Sequence, residues 1–257
     1  MCVLKQQITF YEELISIQAA YKERLREEEL YPKSNQHQAM ERIKNGQPLI
    51  DIEGIRVKEE TIKYILDDVC NALVKHELCG KEEIGQLKIT DFESLMAAVF
   101  HYDEGIDALN IFIVTNAIKI ILNIVADRSR DSIDDSQWLH GYCPMCGALP
   151  LMARLQKEDG KRLLHCSMCS AQWPFARIKC IYCGTEDQKD LQFFWADDSS
   201  PYRVDVCDKC KGYIKTVDER KIQEDMELNP FIEDINTAYL DILAAEEGYH
   251  GQVRAYN

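Results

Sequence analysis

The chain has 257 residues, 46% of them apolar, which is enough to build one large domain or two ordinary ones and excludes disorder for the bulk of it. Its formal charge of −14 speaks against a protein devoted to nucleic acid, because phosphate binding is driven by lysine and arginine displacing counterions. Its first twenty residues carry Glu12 and Glu13 where an export signal would have its apolar stretch, so a cytoplasmic location is expected.

Residues 8–28 predict an amphipathic helix, with Phe10, Leu14, Ile17 and Ala20 near helical spacing and a charged far end, KERLREEE. A second helix is expected over 58–77, where Ile62, Ile65, Val69 and Leu73 share a face, ending before Gly80. Thr90 and Glu93 make a capping-box pattern that starts a third near Asp91. The apolar helix expected at 105–127 approaches the length of a membrane span, but Asn110, Thr115, Asn116, Lys119 and Asn123 interrupt it, and three of these share one face. It reads as a buried core helix with a polar stripe, and no membrane span is expected.

The polar run DRSRDSIDDSQ, residues 127–137, is the best linker in the chain. Beyond it the character changes. Residues 141–217 hold 11 basic and 9 acidic side chains, so the acid is concentrated elsewhere, and stretches such as RLLHC, LQFFWA and YRVDVC suit short strands between tight turns. A last helix is expected over 230–247, with Ile232, Ile235, Tyr239, Ile242 and Leu243 at helical spacing, packed on the rest of the protein.

Eight of the 11 cysteines form four C-x-x-C pairs, Cys143/Cys146, Cys166/Cys169, Cys180/Cys183 and Cys207/Cys210, separated by 19, 10 and 23 residues. In a reducing compartment such an array is not a disulfide framework. A C-x-x-C turn points both sulfurs at one place and aims backbone N–H groups at them, so two turns make a tetrahedral thiolate site and four turns make two. The residue after the second cysteine often needs a positive φ, which Gly147 and Gly184 accept freely, while Ser170 and Lys211 stand there in the other two turns. An aromatic follows each glycine-less turn, Trp173 and Tyr213, so the segment looks like one unit repeated, about 141–175 and 178–217. First with second and third with fourth is the simplest pairing; an interleaved one stays open. Closed four-thiolate sites usually hold a fold together, and such a site serves iron as well as zinc. Cys2, Cys70 and Cys79 stand apart from the array, and His165 beside Cys166 reads as a strand residue rather than a spare ligand. No nucleophile–base arrangement and no phosphate loop is visible, so an enzyme is not expected.

These residues carry a resemblance. CPMCGALP, then RLLHCSMCSAQWPFARIKCIYCG, YRVDVCDKCKGYIKTVD and NPFIEDINTAYLDILAAEEGYH closely resemble the FdhE-type formate dehydrogenase accessory proteins, across about 140–250. NGQPLI (45–50) resembles the family's G-x-P-L-L element. Tyr213, Lys215, Thr216 and Asp218 match its Y-L-K-T-x-D, and Leu240, Asp241, Glu247, Gly248 and Tyr249 match its tail, with His250 where an arginine is common. The resemblance implies a mainly α N-terminal domain (1–137), two β-rich rubredoxin-like or zinc-ribbon units (138–176 and 177–217) and a C-terminal helical tail (218–257). It also implies two metal ions, iron or zinc, on the eight cysteines, and a role in maturing formate dehydrogenase by binding its catalytic subunit in the cytoplasm. Arg162, Arg177, Lys179 and Lys215 are candidates for the rim of that contact. Homodimerisation is left open. The competing readings are a tandem zinc-ribbon module for nucleic acid and an iron-thiolate redox protein.

Overall fold

The computed structural model describes residues 3–31, 36–84, 93, 96, 107–130, 138–222 and 228–251. They form two compact units, one helical and one β-rich. The expected capping box at Thr90 lies outside the described residues, although Glu93 and Met96 are helical.

The helical unit contains α1 (Val3–Arg24), α3 (Glu59–Lys75) and α4 (Ala108–Ser129). Helix α4 is its centre: Ile113, Val114, Ala117, Ile118, Ile121 and Ile124 are all fully buried, as a helix that is apolar almost all round must be. Several of its polar groups bond within the helix or its cap, although the Asn110 Oδ1 is buried without a hydrogen-bond partner among the described residues. The Asp107 carboxylate accepts from the Asn110 N–H at 2.9 Å, and Thr115 and Asn116 donate to the carbonyls of Ile111 and Phe112. By length and composition α4 would pass for a membrane span, yet most of its apolar stretch is buried inside the protein.

Around α4, the Ile62–Leu73 stripe of α3 is buried as expected. The α1 stripe runs from Phe10 and Leu14 to Tyr21 and on to Leu25, beyond the helix, whereas Ala20 is exposed. Tyr21 Oη donates to Asp68 at 2.7 Å, and Glu13 bridges Lys75 and His76. Residues 127–129, read from sequence as linker, are still helical. The reason is tertiary: Asp127 pairs with Lys22 at 2.7 Å, and the Arg128 guanidinium donates to the Leu25 and Glu28 carbonyls.

The β-rich unit is a six-stranded sheet in the order β3-β2-β1-β6-β5-β4. Two antiparallel meanders build it: β1 (Pro150–Leu155), β2 (Arg162–Cys166) and β3 (Gln172–Pro174), then β4 (Leu191–Phe194), β5 (Tyr202–Cys207) and β6 (Tyr213–Asp218). The first strand of one meets the last strand of the other in parallel, Ala153 opposite Thr216 and Leu155 opposite Asp218. Residues 36–49, which the sequence reading counts with the helical half, belong to this unit and include α2 (Gln36–Lys44).

The single helix expected over 230–247 is a pair, α5 (Pro230–Asn236) and α6 (Ala238–Glu246), broken at Thr237. The Thr237 hydroxyl bonds back to the Glu233 carbonyl at 2.6 Å. The break shifts the helical phase, so Leu240 and Ala244 turn inward onto Val204 and Val206 of β5, while Tyr239 and Ile242 turn outward. A clasp fastens the pair: Lys215 Nζ reaches the Asp234 carbonyl (2.8 Å) and both Asp234 and Asp241 carboxylates, and Tyr213 Oη donates to Asp241 at 2.9 Å. Lys215 is therefore buried and committed, not part of an exposed rim.

Gly141 is the tightest backbone approach in this unit: a Cβ there would lie 1.9 Å from the Ile181 carbonyl oxygen. Backbone cannot retreat as a flexible side chain can, so Gly141→Ala should destabilise the β-rich unit by about 1–3 kcal/mol. Guanidinium titration followed by tryptophan fluorescence measures it, and Gly184→Ala, at φ +71° with nothing within 4 Å of the added Cβ, separately reports the cost of a left-handed backbone that Gly141 does not carry.

Candidate metal centres

The four C-x-x-C turns share one backbone frame. In each, the first cysteine's N–H donates to the carbonyl five residues on: Cys143 to Ala148, Cys166 to Ala171, Cys180 to Thr185 and Cys207 to Gly212, at 2.8–3.0 Å. The residue after the second cysteine has positive φ in all four, Gly147 at 80°, Ser170 at 59°, Gly184 at 71° and Lys211 at 58°. Thus the glycine-less turns adopt the left-handed conformation too, against a steric cost of roughly 1–2 kcal/mol for a side-chain-bearing residue. The frame leaves N–H groups directed at sulfur, Met145 to Cys143 at 3.4 Å and Met168 to Cys166 at 3.3 Å.

The turns come together in sequential pairs. Cys143, Cys146, Cys166 and Cys169 form one group and Cys180, Cys183, Cys207 and Cys210 the other, the sulfurs of each lying within 4.8 Å of one another. Cross-pair separations are 3.5 Å for Cys143–Cys169 and Cys146–Cys166, 3.6 Å for Cys180–Cys210 and 3.7 Å for Cys183–Cys207. These are far beyond a disulfide bond of about 2.05 Å and close to the edge of about 3.8 Å that a tetrahedron with metal–sulfur bonds of about 2.3 Å requires. Each group thus fits one tetrahedral metal ion.

The groups differ in their surroundings. All four sulfur residues of the first are buried; in the second, Cys180 and Cys207 are buried, Cys210 is half-buried and Cys183 is exposed. Burial pushes the Cys143 thiol well above its ordinary range. The same burial opposes ionisation of Cys166, but hydrogen bonds from the three neighbouring sulfurs outweigh it and hold Cys166 well below that range. Protons are therefore shared unequally within a group until a cation displaces them, so metal uptake releases protons and weakens as pH falls.

The first group has an anchor that sequence reasoning named only through the resemblance. Within NGQPLI, Leu49 N–H donates to the Pro144 carbonyl inside the first turn at 2.8 Å, and the Gly46 carbonyl accepts from Tyr142 Oη at 2.7 Å. Trp138, His140 and Tyr142 pack ring on ring beneath it. His165 lies in β2 against Phe231, 5.6 Å between ring centroids, and is not in either group. Burial pushes the Cys70 thiol up to about 11, consistent with an inert helix residue. Of the four expected rim cations, Arg162 and Lys215 are buried, Lys179 pairs with Glu186 at 3.3 Å, and Arg177 is exposed.

A helical body joined to a tandem four-cysteine ribbon defines the class of protein. Comparison with known proteins agrees: the family described as FdhE, central domain, matches residues 142–177, and FdhE, C-terminal domain, matches 178–256. The chain is 30% identical over 175 residues to the Protein FdhE homolog of Aquifex aeolicus, covering 66% of this chain and 60% of that protein. It is 24% identical over 218 residues to Protein FdhE of Escherichia coli K12, covering 79% of this chain and 67% of that protein. The match to the Aquifex aeolicus protein thus spans less than two thirds of that relative's length. The crystal structure of the FdhE protein from Pseudomonas aeruginosa superimposes with a TM-score of 0.64 at 15% identity, over 98% of this chain and 93% of that one, which shows a common fold. Residues 142–256 thus carry the FdhE central and C-terminal domains in order.

Two outcomes follow from the turn geometry and the difference in burial. Ser170→Gly relieves about 1–2 kcal/mol of left-handed strain and loses about 0.4–1 kcal/mol to the freer unfolded chain, so the denaturation midpoint should rise slightly. With zinc in both groups, a chelator in excess should remove one equivalent quickly and the other slowly, the fast phase being absent in Cys183→Ser.

Proposed function

We propose that this chain is an accessory factor in the maturation of formate dehydrogenase, binding the catalytic subunit of that enzyme in the cytoplasm and catalysing no reaction of its own. Each four-cysteine group holds one ion, iron or zinc: Cys143, Cys146, Cys166 and Cys169 one, and Cys180, Cys183, Cys207 and Cys210 the other. The observation that carries this reading is the match of residues 142–256 to the FdhE central and C-terminal domains together with two four-sulfur groups of tetrahedral size. The closed coordination fits a structural role, since an ion bound by four thiolates contributes on the order of 10 kcal/mol to a small domain's folding and offers no open position for substrate. Two residues of the family's motifs fit a structural role as well, since Lys215 and Asp241 join the helix pair to the sheet.

A redox reading has one observation in its favour, the exposure of Cys183 in the second group. Iron there would give a thiolate absorption band that bleaches reversibly on reduction, and a zinc-only protein would not.

The test is an anoxic affinity capture of the tagged chain from its native host, with a Cys143→Ser/Cys207→Ser variant alongside and captured proteins identified by mass spectrometry. Recovery of a formate dehydrogenase catalytic subunit by the unaltered chain and its loss in the variant is the expected result. Capture of no such subunit under reducing, anoxic conditions overturns the proposal.

A further inference from the structure

The face of the sheet opposite the helix pair is charged. Along β5, Val204 and Val206 point to α6, and the alternation sends Arg203 and Asp205 to the other side. There Asp205 is shared: it accepts from Thr216 Oγ1 at 2.7 Å, lies 2.9 Å from Arg203 Nε and lies 3.6 Å from Arg162 Nη2. One carboxylate thus faces two guanidinium groups. Arg162 is only 5% exposed, gives one further bond to the Lys179 carbonyl at 3.3 Å, and its Nε has no hydrogen-bond partner among the described residues. A buried guanidinium without full neutralisation is costly, and that cost is removed when an anion arrives.

Space for one is present. Arg162 and Arg203 line a cavity of about 640 Å³, within the range of small-molecule sites, and Arg177 and Lys179 line it as well. Its other walls include Ile178, Phe193 and Ile214. The Arg203 guanidinium lies 4.4 Å from the centroid of the Phe193 ring, which is half exposed. Three arginines and Lys179, the last paired with Glu186, face one lining carboxylate, an excess of positive charge that suits an oxyanion, and forked guanidinium donors match phosphate in particular. The apolar side of the cavity suits an organic part attached to it.

We propose that this cavity is a binding site for a phosphorylated small molecule, with the phosphate held by Arg162 and Arg203, Arg177 and Lys179 at its mouth, and the organic portion against Phe193 and Ile178. The site does not depend on the identity of the protein partner. The cations have one rival use, because Cys180 and Cys207 also line the cavity and a divalent ion on four thiolates carries a formal double negative charge.

Titration calorimetry of the full-length, metal-loaded protein with inorganic pyrophosphate separates the two, with metal content measured on each sample. The unaltered chain should bind saturably. Arg177→Gln, at an exposed position that cannot threaten the fold, and Arg203→Gln should each weaken binding by roughly 10-fold or more, the equivalent of one charge-assisted hydrogen bond, with both metal equivalents retained. Absence of saturable binding up to about 10 mM, well beyond the affinity such donors give, overturns the proposal. Undiminished binding in Arg177→Gln and Arg203→Gln, or loss of metal from Arg203→Gln, overturns it equally, the last by assigning the guanidinium to the thiolate centre.

Discussion

Everything in the β-rich unit is arranged around bringing four sulfurs to within 4.8 Å of one another, twice. The strands end at the clustered cysteines: β2 closes on Cys166 and β5 on Cys207, and β1 starts four residues after Cys146. Strands of three to six residues cannot bury enough apolar surface to hold such turns in place unaided. The turns therefore carry constraint in their own backbones, the repeated N–H to carbonyl closure and the left-handed residue after each second cysteine. That Ser170 and Lys211 accept this conformation without being glycine shows that sulfur placement overrides local preference there.

The sheet that results is asymmetric in a useful way. Joining the meanders head to tail, β1 to β6 in parallel, brings buried polar residues to the middle of the sheet: Lys215, Thr216 and Asp218 of β6 are all nearly inaccessible. Alternation along β6 then sorts them. Lys215 goes to the helix pair and closes the clasp with Asp234 and Asp241, while Thr216 goes to the opposite face and fixes Asp205. The stretch Tyr213–Asp218, whose Lys215 reads in sequence as a rim cation, joins sheet, helices and charged face in space.

Much of this was legible in sequence, and what was not has identifiable causes. The two clusters of four cysteines, the division into helical and cysteine-rich halves, and the core stripe of α3 follow from spacing alone, because paired C-x-x-C turns and a 3.6-residue period leave few alternatives. Strands β1 and β6 escaped because charged residues, Arg154 and Lys215, sit where an alternating pattern would call for apolar ones. The break at Thr237 escaped because periodicity runs through it, and only the hydroxyl's bond to Glu233 marks the change of phase. Attachment of residues 36–49 to the first cysteine group runs through backbone groups, the Leu49 N–H to the Pro144 carbonyl and the Gly46 carbonyl to Tyr142 Oη, and backbone groups leave no trace in side-chain pattern.

The two cysteine groups have the same ligands and the same turns, so any difference in their chemistry must come from what surrounds them. The first is sealed by the aromatic cluster of Trp138, His140 and Tyr142 and by residues 46–49, and its sulfurs are out of reach of solvent. The second presents Cys183 to water and shares two of its sulfur residues with the walls of a cationic cavity. Solvent access governs ligand exchange and redox response at a thiolate centre, and nearby cations stabilise the more reduced, more negative state. With metal bound, ligand exchange or electron transfer is therefore more accessible to solvent at the second group than at the first.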